Sequence, residues 1–417
     1  MSTSFSTALS GLNANATAID VVGNNLANLN TAGFKADTVT FQDLVTQSIG
    51  AGLGATQVGF GVGTPITLTQ FSQGALESTG GPLDAAIQGD GFFIVSGKVT
   101  GNTEYTRGGS FQVNAAGELT TASGDLVQGW TITNGVLNTN APIGNITVPT
   151  GTLAPPIATT TTSVSLNLDA TATAGPPPTT FSTSVQVFDS LGTAHTLTMT
   201  FTATGTPGQW NYSVGVPNAD VAAPPATPLT GTLTFDSNGN MLTPAATDAP
   251  PVINIPGLAD GASDMNITWN LYTGTTPTIT QFAQSSATSA VSQNGSAAAN
   301  LISVGLANGG EVLAQYSNGQ QLVVGQMAMA EVRNPDSLIA VGNSNYQASA
   351  LTALPAVGVP GTGGRGTVLG GSIEASNVDI ATEFTNLIIY QQGYEANAHV
   401  VTTENQLSQD TINLKPQ

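Results

Sequence analysis

Cysteine is absent from all 417 residues. That removes disulfides, thiolate catalysis and zinc–thiolate sites together, and it suits a protein that works outside the reducing cytosol. Cations are almost as scarce, with 6 Lys and Arg against 25 Asp and Glu and a formal net charge of −19. A chain so poor in positive charge offers little to nucleic acid or to an anionic membrane, and neither is expected as a partner. Charged residues of either sign amount to only 7%, so hydroxyl, amide and small apolar groups must form the surface, a composition common among exported surface proteins. No apolar run is long enough to span a bilayer. The opening Met1-Ser-Thr-Ser-Phe5 lacks both the basic cluster and the continuous apolar core of a secretory signal. The expectation is cytosolic life, or export by a route that reads an uncleaved N-terminus.

What is present is a helical pattern at each end. Phe5, Leu9, Leu12, Ala16, Ile19, Gly23 and Leu26 advance by alternating steps of four and three, the spacing of a coiled-coil seam. Ile380, Phe384, Leu387, Gln391, Tyr394, Ala398, Val401, Asn405, Ser408 and Ile412 do the same less cleanly. Ser376, Asn377 and Asp379 offer capping oxygens, and Glu383 supplies negative charge in the early turns. Each helix would run for tens of ångströms at about 1.5 Å per residue. Asp20 is the only ionisable side chain before Lys35, so the first helix presents small and amide groups around most of its circumference. Such a surface suits neighbours on several sides, as in an assembly of many copies; two core helices of a monomer are the plain alternative.

Between the helices the chain reads as β-structure. Asn28 to Thr40 switches to turn chemistry, with Gly33 as a helix-stop glycine. Residues 41–80 are Gly-rich and irregular, with one short strand candidate at Ile66–Phe71, and read as a spanning segment because so long a loop is uncommon inside a compact domain. Gly89-Asp90-Gly91 leads into the strand Phe92-Phe93-Ile94-Val95, followed by short strands to Trp130. A Thr-, Ala- and Pro-rich boundary follows. Beyond it His195, Leu197, Met199, Phe201 and Ala203 alternate with four threonines, as in a half-buried strand, and pair with residues 181–188. Asn318-Gly319 marks a hairpin, and residues 325–371 read as loop-rich. The expected architecture is multidomain and mainly β, of sandwich or barrel type, with long N- and C-terminal helices in a coiled-coil-like terminal domain. Its expected parts are 1–30 with 372–417 (terminal helices), 31–75 (linker), 76–149 with 284–371 (inner β-domain) and 150–283 (outer β-insertion).

Catalytic signals are weak. His195 lies on the apolar register of a strand and reads as a packed core residue, while His399 lies on a separate helix. Asp236-Ser-Asn-Gly-Asn240 faintly resembles a calcium loop but lacks the later carboxylates, and reads as a hairpin turn. No catalytic, cofactor-binding or metal-ligating residue is assigned, and the chain is not expected to be an enzyme.

Longer motifs carry a resemblance. Ala8-Leu-Ser-Gly-Leu-Asn-Ala14 followed by Asn24-Asn-Leu-Ala-Asn-Leu-Asn-Thr-Ala-Gly-Phe-Lys35 resembles the N-terminal signature of the flagellar rod and hook axial family. Ser376-Asn-Val-Asp-Ile380, Glu383-Phe384 and Gln391-Gln-Gly-Tyr-Glu-Ala-Asn397 resemble its C-terminal signature. Leu83 to Val95 and Tyr105-Thr-Arg-Gly-Gly-Ser-Phe111 resemble the β-domain shared by hook and distal-rod members. Val187-Phe-Asp-Ser-Leu-Gly-Thr-Ala-His-Thr-Leu197 resembles the outer-domain motif of the hook members, an insertion that the shorter rod members lack.

The resemblance implies a structural subunit of the bacterial flagellar hook, located extracellularly in the hook and basal body. It would be exported through the flagellar type III apparatus without a cleaved signal. It would then polymerise beneath a hook cap into a curved tube acting as a universal joint for motility. Its implied partners are itself, the distal rod, the hook cap and the hook–filament junction proteins. The polymerising residues would be Phe5, Leu9, Leu12, Ile19, Leu26, Ile380, Phe384, Leu387, Tyr394 and Val401. Asn25, Asn28, Thr31, Gly33, Phe34 and Lys35 would form the family's turn and linker motif. The competing readings are a secreted β-rich adhesin or glycan-binding protein, and a distal-rod member of the same family.

Overall fold

The computed structural model describes residues 3–44, 47–49, 56–133, 136–222 and 227–413. The chain forms two compact units, 1–150 with 303–315 and 321–417, and 151–302 with 316–320. It is mainly β, with one long helix near each end of the sequence, α1 (Thr3–Ala27) and α2 (Ile380–Asn413).

In the first unit, a sheet joins strands from before and after the insertion. Leu126–Thr133 pairs antiparallel with Phe92–Ser96 on one side and Gln321–Met327 on the other. Phe92, Ile94, Tyr105, Trp130, Ala328, Ala330 and Tyr346 pack into one core. The nested order read from the sequence is therefore physical, since this core closes only when the returning chain supplies its strands. Residues 325–371 hold several strands, including Ile339–Gly342 and Asn345–Gln347, where the sequence reads as loop-rich. Asp37–Thr40 pairs with Ile66–Thr69, so part of the expected linker folds back on itself. Leu76–Ser78 pairs with Ser372–Glu374, and Ala85–Gln88 with Thr367–Gly370. Residues 372–379, expected with the terminal helix, thus precede it, and α2 begins only at Ile380.

The cap of α2 is Asp379, whose Oδ1 accepts from the Thr382 amide at 2.8 Å. This bond holds the Asp379 carboxyl below its usual pKa range. Asn377 instead clasps the chain, taking the Ala36 amide on Oδ1 and donating from Nδ2 to the Gln70 carbonyl. Gly33 does not stop α1, which ends at Ala27. It is needed for another reason. Its φ is +71°, and a Cβ there would lie 2.4 Å from the Gly108 amide nitrogen.

The second unit is a sandwich of two five-stranded sheets. One is an antiparallel meander running from Thr180–Phe188 through Ala194–Ala203, Gln209–Gly215 and Leu229–Phe235 to Met241–Thr243. The Thr180–Phe188 strand meets Ala194–Ala203 as the sequence predicts, with Leu197, Met199 and Phe201 fully buried. The other sheet centres on Thr161–Asp169, and the apolar faces of both share one core around Trp210 and Trp269. Ala287–Gln293 pairs antiparallel with Thr161–Asp169. Residues 284–302, expected in the inner β-domain, therefore belong to this unit, because the first strand after the boundary needs that partner on its free side. Asp236 caps its own hairpin turn, with Oδ1 accepting from the Asn238 and Asn240 amides at 2.8 Å each.

Candidate functional site: the terminal helix pair and its anchor

α1 and α2 pack antiparallel, but not on the stripes that the apolar spacing predicts. The buried residues of α1 are Ala8, Gly11, Ala14, Ala18, Val22 and Asn25. On α2 the inward row is Glu383, Asn386, Tyr390, Gly393, Asn397 and Glu404. Each row lies one position before the predicted seam, a rotation of about 100° about the helix axis. Phe5, Leu12, Ile19, Leu26, Leu387 and Val401 are consequently half-buried on the flanks. Leu9, Ile380, Phe384 and Tyr394 are exposed.

The reason is close approach. A Cβ on Gly11 would lie 2.8 Å from Asn397 Oδ1, and one on Gly393 would lie 2.6 Å from Asn15 Oδ1. Each asparagine sits in the gap left by the other helix's glycine, and each is held there by its own backbone. Asn15 Nδ2 donates to the Gly11 carbonyl at 2.7 Å, and Asn397 Nδ2 to the Gly393 carbonyl at 2.8 Å. At these two crossings there is no room for a large side chain, so Leu12 and Tyr394, next to the glycines, lie to the side. The signal is in the sequence as a matched Gly-x-x-x-Asn spacing, Gly11-Leu-Asn-Ala-Asn15 and Gly393-Tyr-Glu-Ala-Asn397.

Near the end of α1 the pair is tied to the following chain. Asn25, fully buried, exchanges two hydrogen bonds with the Asp37 backbone and donates to Glu383 Oε1 at 3.0 Å. Asn28 accepts from the Thr31 hydroxyl at 3.1 Å and shapes the turn. Phe34, half-buried, closes the turn by donating its amide to the Thr31 carbonyl. The other Glu383 oxygen, Oε2, is buried without a hydrogen-bond partner. Burial raises the Glu383 pKa, the Asn25 amide opposes that, and the Asp379 charge adds to it. A carboxyl raised in this way takes up a proton on folding. Its ionised form opposes folding above the folded pKa, and the penalty vanishes as pH falls below about 4. Glu383→Gln is expected to raise the melting temperature by roughly a few degrees at neutral pH and to lose that advantage in acid, as read by circular dichroism across a pH series.

Lys35 forms the anchor. Its Nζ, fully buried, donates to Glu374 Oε1 at 2.6 Å and to the Ser72 carbonyl at 2.7 Å. Arg107 Nη1 reaches Glu374 Oε2 at 3.2 Å, Nη2 reaches the Gly89 carbonyl, and the guanidinium lies 5.3 Å from the Phe92 ring centre. The Gly74 amide completes the set on Glu374 Oε1. Burial pushes the Lys35 ammonium below its usual pKa despite the attraction of Glu374. The cluster joins the end of the signature turn, the linker, the β-domain and the strand leading to α2. Glu374 and Arg107 were missed in the sequence, because only tertiary contact brings positions 35, 107 and 374 together.

Lys35, Arg107 and Glu374 each lie in a segment matched by a known family. Residues 5–35 match the family described as flagella basal body rod protein, and residues 86–171 the flagellar hook protein FlgE/F/G D1 domain. Residues 158–296 match the flagellar basal body protein FlaE D2 domain, and residues 369–414 the flagellar basal body rod FlgEFG protein C-terminal region. The flagellar hook protein FlgE of Borreliella burgdorferi is 32% identical over 445 residues, covering 98% of both chains. That of Escherichia coli K12 is 32% identical over 432 residues, covering 99% of this chain and all of the relative. The chain belongs to the flagellar hook protein family. The crystal structure of the Helicobacter pylori flagellar hook protein FlgE2 shares its fold, with a TM-score of 0.50 and 14% identity over 70% of this chain and 98% of that one.

As a member of this family the chain is a structural component of the flagellar hook and basal body, and the family polymerises in the flagellar axial structure. No described helix is long and apolar enough to cross a membrane. The polymerising residues named from the sequence acquire a different geometry. Leu9, Ile380, Phe384 and Tyr394 point away from the internal seam, and the other six lie half-buried along its edges.

Proposed function

We propose that the chain polymerises into the hook tube through the outward stripes of α1 and α2, while the small-residue seam between them holds each subunit's helices together. The observation that carries this reading is the exposure of Ile380, Phe384 and Ile388, spaced by four along α2, with Phe384 51% and Ile388 54% exposed. Leu9 on α1 is 42% exposed. Large apolar groups on helices with so few charges need partners, and further copies of this chain supply them. The tube acts as the universal joint between motor and filament. Its ends meet the distal rod, the hook cap and the hook–filament junction proteins.

Export would proceed unfolded through the flagellar type III apparatus, consistent with a chain free of disulfides. The role is structural and not catalytic; both ring nitrogens of the one buried histidine, His195, are engaged by carboxylates. Purified protein is expected to form curved tubes in the electron microscope. Ile388→Asp should leave the monomer's helical circular dichroism unchanged yet prevent tubes, since an unpaired charge would be buried at every copy. Normal tubes from that variant would place the assembly surface elsewhere.

A further inference from the structure

Residues 151–302 contain seven aspartates, no glutamate, and no lysine or arginine. His195 is the only side chain in that stretch able to carry positive charge. It is placed where such a charge is most useful. Its Nε2 lies 3.0 Å from Asp189 Oδ2 and its Nδ1 lies 3.2 Å from Asp220 Oδ2. The Asp260 carboxyl lies within 4.8 Å of both the Asp189 and His195 polar atoms. Asp189, fully buried, also accepts the Leu191 and Thr193 amides on Oδ1, so it is fixed in the turn between the first two meander strands. Asp220 ends the short 3-10 turn Asn218–Asp220 and is partly open to solvent. The strap that follows it bridges to the next loop, with Val221 paired to Leu258, the Ala222 amide donating to the Gly257 carbonyl and the Ala259 amide to the Asp220 carbonyl.

A neutral imidazole has one N–H and cannot donate to two carboxylates. The observed geometry therefore demands the imidazolium. We propose that His195 is a pH-operated latch. Protonated, it bridges Asp189 and Asp220 and ties the strap at residues 218–222 and its partner loop at 257–260 to the 189–193 turn; deprotonated, it releases the strap. The Asp220 link opens first, because Asp189 is also held by two amides whereas Asp220 can turn to water.

The sign of the pH dependence follows. Burial alone would lower the His195 pKa, but the bonds and charges of Asp189 and Asp220 outweigh it and raise it above the usual value. Its contribution is complete below about pH 6.5 and is lost as pH rises through the folded pKa. The Asp189 carboxyl, desolvated but bonded to His195, is held down to about 2, so that partner stays ionised until strong acid. The latch is therefore shut in mildly acid solution and opens as pH rises through the raised His195 pKa.

The test uses the full chain. It has two histidines, so His399→Gln leaves one imidazole, and proton NMR follows His195 directly. It is expected to titrate above the ordinary histidine value, with Asp220→Asn lowering that midpoint. Thermal unfolding of a Trp130→Phe chain, read by the fluorescence of the remaining Trp210 and Trp269 in the sandwich core, should show a melting temperature falling by a few degrees between pH 6 and pH 9. His195→Gln should abolish that slope. A His195 titration at or below the ordinary value, or the same slope in His195→Gln, would overturn the latch. So would stabilisation by zinc ion alone that EDTA reverses and His195→Gln lacks, which would assign the cluster to a metal.

Discussion

Chains carrying Gly11→Val or Gly393→Val are expected to fail in hook assembly and to lose helix content as monomers. A side chain at either position must displace an asparagine, since even a Cβ at Gly11 would approach Asn397 Oδ1 to 2.8 Å, and one at Gly393 would approach Asn15 Oδ1 to 2.6 Å. The asparagine could rotate away only by giving up its bond to the carbonyl four residues earlier. Overpacking of this kind costs about 1–3 kcal/mol, repeated in every subunit of a polymer. Two controls separate seam geometry from helix propensity. Gly23→Ala should be neutral or stabilising by up to about 1 kcal/mol, because a Cβ there meets nothing within 4 Å. Gly11→Ala combined with Asn397→Ala should recover much of what Gly11→Ala loses, because the colliding amide is gone. Circular dichroism of the monomer and electron microscopy of the polymer read both effects; tubes of normal abundance from Gly11→Val would show that the seam is not tight in the assembly.

Glu374→Gln is expected to unlock the anchor. The carboxylate lies between two buried cations, Lys35 and Arg107, and neutralising it leaves both without a counter-charge. Removing one partner of a buried ion pair costs about 3–5 kcal/mol, or roughly a hundredfold or more in local opening. Hydrogen exchange should show that loss of protection in the paired strands Leu76–Ser78 and Ser372–Glu374. Lys35→Met should cost less, since Glu374 keeps Arg107 and the Gly74 amide while the methionine carries no charge into the core. Equal losses from the two variants would mean that Lys35, and not the shared carboxylate, holds the segments together.

The sequence by itself determined the local patterns. Alternation at residues 195–203 fixed a half-buried strand, because side chains on a strand change face at every residue. Steps of three and four marked both helices for the same kind of reason. The order helix, β, insertion, β, helix then required later segments to fold back on earlier ones. What only the tertiary structure decided is which helix faces meet. Phe5, Leu12 and Phe384 are more apolar than Gly11, Asn15 and Asn397, so a hydrophobicity pattern favours the wrong stripe by one residue. The choice is made by the distance between helices, and that depends on two glycines and two asparagines nearly four hundred positions apart fitting together. The same holds for Lys35 with Arg107 and Glu374, and for His195, whose partner Asp220 lies 25 positions away on another element. A side chain's period is a property of its own segment, whereas a counter-charge or a steric gap belongs to whatever the fold brings opposite.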